Sequence, residues 1–225
     1  MKPNELKYPH LFKERRPLIA GRVFFVPDYY FEHHLFSFPA LEDERLFGNS
    51  NPVFVEYCSG NGSWIVEKAK ACRDKNWIAV ERDFERARKI VSKTVNGKLA
   101  NLFVVCGEAL TFTRHYLRDQ SIEGIFINFP DPWPKERHAK HRLFQSEFAK
   151  ETARVVSFQK GAVVATDDPA YAENISSVML GSLLWESAIP FPYYRTEWQE
   201  YGTSFFQALW EKKGRTIRYF SFLRR

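Results

Sequence analysis

The sequence predicts an α/β fold, a doubly wound and mostly parallel sheet. Three observations carry this prediction. The run Val53-Phe54-Val55-Glu56-Tyr57 is β-branched and aromatic, ends in the glycine-containing turn Cys58-Ser59-Gly60-Asn61-Gly62, and is followed by the helical segment Ser63 to Ala69. Short apolar runs then recur, and the segments between them carry apolar residues at helical spacing, which gives parallel strands joined by helices. A chain of 225 residues that is 44% hydrophobic has enough apolar surface to bury one substantial core.

Along the chain, the first fifty residues are the least regular. Lys2, Lys7, Lys13, Arg15, Arg16 and Arg22 are spread there among Pro, Tyr and His, so residues 1–50 are expected to form a basic N-terminal arm and lead-in, and residues 51–225 the main domain. Before Lys13 a solvated, mobile arm is expected. Arg15, Arg16 and Arg22 are candidates for phosphate contacts. Strands are predicted at Val53 to Tyr57, Trp77 to Glu81, Leu102 to Cys106, Gly124 to Asn128 and Ala162 to Ala165. Helical spacing relates Phe84, Ala87, Val91 and Val95, and again Phe144, Phe148, Thr152 and Val155. Pro169 to Leu180 reads as a helix for which Asp168 is the expected N-cap. Leu183 to Ala188 and Thr216 to Phe222 read as strands of a terminal hairpin layer, separated by the aromatic insert Phe191 to Trp198.

Charge narrows the partner. Thirty-three basic against 27 acidic residues give +6 and a pI near 9.2, which favours a polyanion. No apolar run is long enough to span a bilayer, and the N-terminus lacks the apolar core of a signal peptide, so a cytoplasmic location is expected. Cys58, Cys72 and Cys106 are odd in number and lack metal-ligand spacing. They are expected to stay reduced and packed, with no bound metal.

Two segments carry chemistry. In Phe129-Pro130-Asp131-Pro132-Trp133-Pro134-Lys135, three prolines fix φ and restrict the residues before them, so Asp131 and Trp133 are presented in an extended turn. A carboxylate accepts two N–H donors from a guanine edge, and an indole stacks on a base. The following run Arg137-His138-Ala139-Lys140-His141-Arg142 supplies charge for a backbone. The plainer alternative is a Pro-rich surface turn beside a solvated basic helix start. The second segment is the glycine turn at Gly60 and Gly62, in the position where open α/β sheets bind nucleotides. Glu81 ends the next strand, about 20 residues beyond, where an acid accepts ribose hydroxyls.

Taken together, Glu56-x-x-x-Gly60-x-Gly62, Ala79-Val80-Glu81, Asn128 to Lys135 and Ala165-Thr166-Asp167 resemble the bacterial tRNA (guanine-N7)-methyltransferase family. The likeness runs from about Arg15 to the C-terminus. It implies a Rossmann-like sheet of seven strands, one of them antiparallel and near the C-terminus, and S-adenosylmethionine as cofactor. Glu56, Gly60, Gly62, Glu81, Glu108 and Asp131 are implied to bind that cofactor, Glu108 at its adenine. Asp131 is the implied catalytic residue. Lys135 and Asp167 are implied on the guanine side, with Arg137, His138, Lys140, His141 and Arg142 on the RNA. Two positions depart from the family pattern. Cys58 stands where a third glycine is usual. The Thr-x-Phe/Tyr-Glu substrate element is present either as Thr203 to Phe206 or as Ser204-Phe205-Phe206-Gln207, and the second register is preferred because it also aligns Lys213-Gly214; in both a carboxylate is missing.

The implied reaction is methyl transfer to N7 of a tRNA guanine, by resemblance the variable-loop one, with tRNA rather than DNA or a membrane as partner and a monomer or homodimer as the assembly. A small-molecule methyltransferase would share the Glu56 to Glu81 half without needing the basic run. A non-catalytic RNA-binding subunit would keep the basic face without needing the cofactor acids.

Overall fold

The computed structural model describes the backbone of residues 1–202 and 205–225, and their side chains apart from Phe12, Glu136, Glu200, Phe205 and Phe206. The chain partitions into two compact units, Met1–Leu117 and Arg118–Arg225.

The first unit contains β1 (Leu18–Ala20), β2 (Val23–Phe25), β3 (Val53–Tyr57), α1 (Ser63–Ala71), β4 (Asn76–Glu81), α2 (Phe84–Asn96), β5 (Leu102–Cys106) and α3 (Ala109–Tyr116). Strand β4 lies between β3 and β5 and is parallel to both. Strand β2 extends the parallel set beside β5, pairing Phe25 with Cys106, and β1 returns antiparallel to it. Every residue of β4 and β5 is buried, the pattern of strands covered on both faces. Helix α2 buries Ala87, Ile90 and Val91. Asp83 starts it by accepting the Arg86 amide at 2.8 Å, a cap that stabilises a helix by about 1 kcal/mol.

The expected mobile arm is not what the structure shows. The Met1 carbonyl accepts hydrogen bonds from Ser92 Oγ at 2.7 Å and Asn96 Nδ2 at 2.9 Å, both on α2. Beyond it, the Tyr8 ring stands edge-on to Phe25 and Phe84 at 5.6 and 5.4 Å. Farther along, Phe24 packs against Phe36, Phe38 and Tyr116, and the buried His33 Nδ1 shares a 2.6 Å hydrogen bond with the Tyr116 hydroxyl. Basic residues set among Pro and Tyr look solvated in sequence, whereas the aromatic rings between them decide the outcome.

The second unit contains β6 (Ile122–Asn128), α4 (Ser146–Val155), β7 (Val156–Thr166), α5 (Pro169–Gly181), β8 (Trp185–Ser187), β9 (Tyr194–Arg195), α6 (Phe205–Lys212) and β10 (Arg218–Arg224). Strands β6 and β7 are parallel. Strand β10 is antiparallel to β7, β8 and β9 alike, so within this unit it is the one reversed strand, where the family resemblance placed it. All seven expected strands are present. The added strands among the described residues are β1, β2 and β9, of two or three residues each, too short for a period-two pattern to reveal.

Gly62 ties the loop after β3 to the packing of this first unit. Its φ is +72°, and a β-carbon there would stand 2.8 Å from Ile90 Cγ1. Gly62→Ala is therefore expected to lower stability by about 2–4 kcal/mol, left-handed strain adding to overpacking against α2. Urea unfolding is the measurement.

Candidate functional site

In the first unit the site is built at the carboxyl ends of β3 and β4. Past Tyr57 the chain turns through Cys58, Gly60 and Gly62 at φ of +59°, +56° and +72°. A left-handed residue with a β-carbon costs roughly 1–2 kcal/mol, which gives the family's glycine at position 58 a physical reason and makes Cys58 a strained substitute. The turn is pinned by Ser59 N donating to the Val80 carbonyl at 3.1 Å and Ser59 Oγ to the Glu56 carbonyl at 2.9 Å. Glu81, 7% exposed, completes it: one carboxylate oxygen accepts the Gly60 amide at 2.7 Å and the other the Asp83 amide at 2.9 Å. Burial pushes the Glu81 carboxyl above its ordinary value, against the pull of those two N–H donors. Each oxygen retains a second acceptor direction, so ribose hydroxyls can still be received. Glu56 is fully buried.

Glu108 caps α3. Its two oxygens accept the Leu110 and Thr111 amides at 3.0 and 2.6 Å, so any adenine contact uses the outer lone pairs of a carboxylate that already holds a helix end. The preceding Gly107 allows a close approach, since a β-carbon there would lie 2.6 Å from Val26 Cβ.

Arg22 is a correction. Its guanidinium donates to the carbonyls of Leu46, Ala100 and Leu102 and lies over the Phe47 and Phe103 rings. Burial lowers its pKa. This arginine fastens loops to β5 and is not presented to RNA.

In the second unit, β6 ends at Asn128, whose Oδ1 accepts the buried Tyr201 hydroxyl at 2.6 Å. The Pro-rich turn follows with Phe129 and Trp133 both left-handed, at φ of +51° and +42°. Two such residues in five mark a turn held by its surroundings. Phe129 N donates to the Ala165 carbonyl at 2.9 Å, while Arg142 Nε and Nη2 donate to the Pro132 and Trp133 carbonyls at 2.9 and 3.2 Å. Sequence reasoning placed Arg142 on RNA; the structure engages it as the clamp of this turn. Asp131 is exposed, and among the described residues it accepts no hydrogen bond, an arrangement without desolvation cost for a carboxylate in water.

Lys135 is exposed, and Glu136–His141 forms a 3-10 turn rather than the start of an α-helix. This turn brings His138 and His141 to the exposed Trp133, with ring centroids 5.7 and 5.3 Å away. Arg137 and Lys140 face solvent.

Asp168 caps α5 through the Tyr171 amide at 2.7 Å, as expected. Asp167 is paired with Arg215, whose guanidinium lies 4.1 Å from the Trp210 ring centroid. An unoccupied Asp167 is thus not observed. Arg215 is the residue that sequence reasoning missed, and its place just after Lys213-Gly214 was the available signal. Of the substrate element, Ser204 lies outside the described residues, as do the side chains of Phe205 and Phe206. Gln207 Nε2 donates to Glu211 Oε1 at 2.9 Å along α6. Cys58, Cys72 and Cys106 form no disulfide among the described residues, and burial pushes the Cys106 thiol up to about 12.

Residues 50–218 match the Methyltransf_4 family, described as "Putative methyltransferase". A Chlamydia felis protein named tRNA (guanine-N(7)-)-methyltransferase is 46% identical over 225 residues, covering 100% of this chain and 98% of its own. The Chlamydia trachomatis protein of that name is 45% identical over 100% and 99%, and the Rubrobacter xylanophilus one 28% identical over 85% of each. In fold the chain is similar to the 16S rRNA methyltransferase KamB, with a TM-score of 0.62 at 15% identity over 93% of this chain and 99% of that one. With matches spanning its full length, the chain belongs to the tRNA (guanine-N(7)-)-methyltransferase family.

Proposed function

We propose how the family's reaction, transfer of a methyl group from S-adenosylmethionine to N7 of a tRNA guanine, runs on this chain, and that its target is the variable-loop guanine. N7 carries a lone pair and no proton, so no general base is required to generate the nucleophile. The sulfonium donor is already activated. What remains is alignment of N7 with the methyl group, for which proximity and orientation supply up to roughly 7–11 kcal/mol.

In this reading Glu56, Gly60, Gly62 and Glu81 hold the cofactor, and Glu108 meets its adenine. Asp131 positions the base, the cofactor or both. Lys135 and Asp167 lie on the guanine side, together with Ser204, Phe205, Phe206 and Gln207. Arg137, His138, Lys140 and His141 follow the RNA backbone. The observation that carries the reading is the turn from Phe129 to Lys135: its backbone is clamped by Arg142, its Asp131 is exposed, and its Trp133 ring is flanked by the His138 and His141 rings. A structural turn would have no reason to combine left-handed strain with an unengaged acid. Radiolabelled methyl transfer to bulk tRNA, compared with a metabolite pool, tests the substrate class; strand scission at the modified guanine tests its position.

Three outcomes follow from these assignments. Asp131→Ala is expected to slow single-turnover methyl transfer by on the order of 10²-fold or more, the effect of deleting one preorganised polar contact, with Asp131→Asn between it and the parent.

The two kinds of basic residue separate experimentally. Arg137→Ala with Lys140→Ala should reduce the salt slope of tRNA binding by about 0.7 log unit per lost phosphate contact. Arg142→Ala should leave that slope unchanged and lower the single-turnover rate by about 10²-fold, because the turn it clamps is misplaced.

Glu81 gives a pH dependence. Its folded pKa is raised, so the stability linked to it is complete below the ordinary glutamate value and is lost as pH rises through the folded one. Cofactor binding favours the charged form. Affinity for S-adenosylmethionine should therefore begin to fall, on acidification, above the ordinary glutamate range, and calorimetry across pH on Glu81→Gln should show a weaker and flatter profile.

A further inference from the structure

Across β6, β7 and β10 of the second unit one row of residues is in register: Asn128 pairs with Ala165, and Ala165 with Tyr219. Residues paired in this way share a face of the sheet, and so does Phe126, two positions before Asn128. Tyr201 lies on that face. Its ring centroid is 5.2 Å from that of Tyr219, 6.3 Å from that of Phe126 and 5.6 Å from that of Trp198, so it spans the row from β10 to β6 over the small side chain of Ala165. At the far end its hydroxyl donates to Asn128 Oδ1 at 2.6 Å, and both residues are buried. A phenylalanine ring would fill this aromatic layer equally well. What packing leaves unexplained is the hydroxyl, aimed at the last residue of β6.

We propose that Tyr201 is a positioning residue for methyl transfer, one that holds the root of the turn carrying Asp131. The inference rests on the assignment of Asp131 given above and extends it to a side chain 73 positions from the residue it holds. Asn128 is followed directly by Phe129, whose left-handed φ of +51° is unfavourable for a residue with a β-carbon. Such a conformation persists only where its surroundings fix it. The Phe129 amide is held by the Ala165 carbonyl at 2.9 Å, and beyond Asp131 the Arg142 guanidinium holds the carbonyls of Pro132 and Trp133. Ahead of Phe129, Tyr201 fixes Asn128. Asp131 therefore lies between two anchors, a phenol before it and a guanidinium after it. Three residues separate it from Asn128, up to about 10 Å of chain, so a rotation of about 6° at the root moves its carboxylate by about 1 Å, a displacement large enough to spoil alignment for transfer.

The test uses full-length protein and single-turnover methyl transfer at saturating tRNA and S-adenosylmethionine. Tyr201→Phe, which keeps the ring, is expected to slow transfer by about 10- to 100-fold, while its calorimetric affinities for both ligands stay within about twofold of the parent's. Introduced into Asp131→Ala, the same substitution should slow transfer no further, because the group it positions is gone. A merely structural hydroxyl would slow both backgrounds alike. Asn128→Leu, which removes the acceptor at similar volume, should reproduce the loss, and combined with Tyr201→Phe it should be no slower than either single variant. Where Tyr201→Phe does not fold, Asn128→Leu in the parent and in Asp131→Ala decides in the same way. The inference is overturned if Tyr201→Phe transfers at the parent's rate, if it loses ligand affinity in place of rate, or if it slows Asp131→Ala by the factor it slows the parent. Asp131→Ala alone tells the two failures apart. When it is slow and Tyr201→Phe is not, only the role of Tyr201 falls; when it keeps the parent's rate, the Asp131 assignment falls and that of Tyr201 with it.

Discussion

The first unit turns on one buried carboxylate. Glu81 stands at the end of β4 with an amide on each oxygen, one from Gly60 and one from Asp83. The first bond sets the height of the loop after β3, and the second sets the start of α2, which Asp83 then caps. Burying a charge is unfavourable, and the raised pKa follows from that; two charge-assisted hydrogen bonds offset part of the cost. A carboxyl group fixed in place by the loop it shapes is a pre-formed acceptor, so little side-chain entropy would remain to be lost on binding ribose hydroxyls.

The second unit solves the opposite problem. Around Asp131 the backbone is stiffened while the residue itself stays exposed. Three prolines limit the conformations, but they do not select the left-handed values at Phe129 and Trp133. The Phe129 amide on Ala165 and the Arg142 guanidinium on two carbonyls make that selection. Arginine suits this task because its planar fork reaches two adjacent carbonyls at once, which a lysine point charge cannot do.

How much of this was legible follows from the range of each interaction. Strands β3 and β5 and the starts of α1, α2 and α5 follow from local pattern and capping, and the structure places them where periodicity and Asp168 indicate. Glu81 was legible as an acid at a strand end, though its hold on Gly60, a partner 21 positions away, was not. Strands β1 and β2 were missed because three-residue strands carry too little pattern, and α6 because eight residues are barely two helical turns, too few for a 3.6-residue period to stand out. The roles of Arg22, Arg142 and Arg215 share one cause. A basic residue in sequence announces charge, whereas what it does depends on carbonyls and rings brought to it by the fold, and all three are spent on protein groups.

That pattern changes what the net charge of +6 means. Arg22, Arg142 and Arg215 contribute to the formal sum while clamping loops, so charge counting alone overstates the surface available to a polyanion. Arg137 and Lys140, exposed on the 3-10 turn after Lys135, have no such internal use among the described residues. They sit immediately after the turn that carries Asp131, and this coupling matters physically. In the reading proposed above, phosphate contacts by side chains within a few residues of Asp131 would transmit register to it through a stiff backbone, whereas the same charges on a remote face would raise affinity without aligning N7. Binding energy placed next to the Pro-rich turn would then be converted into orientation, which is what an already activated methyl donor and an unprotonated N7 ask the protein to provide.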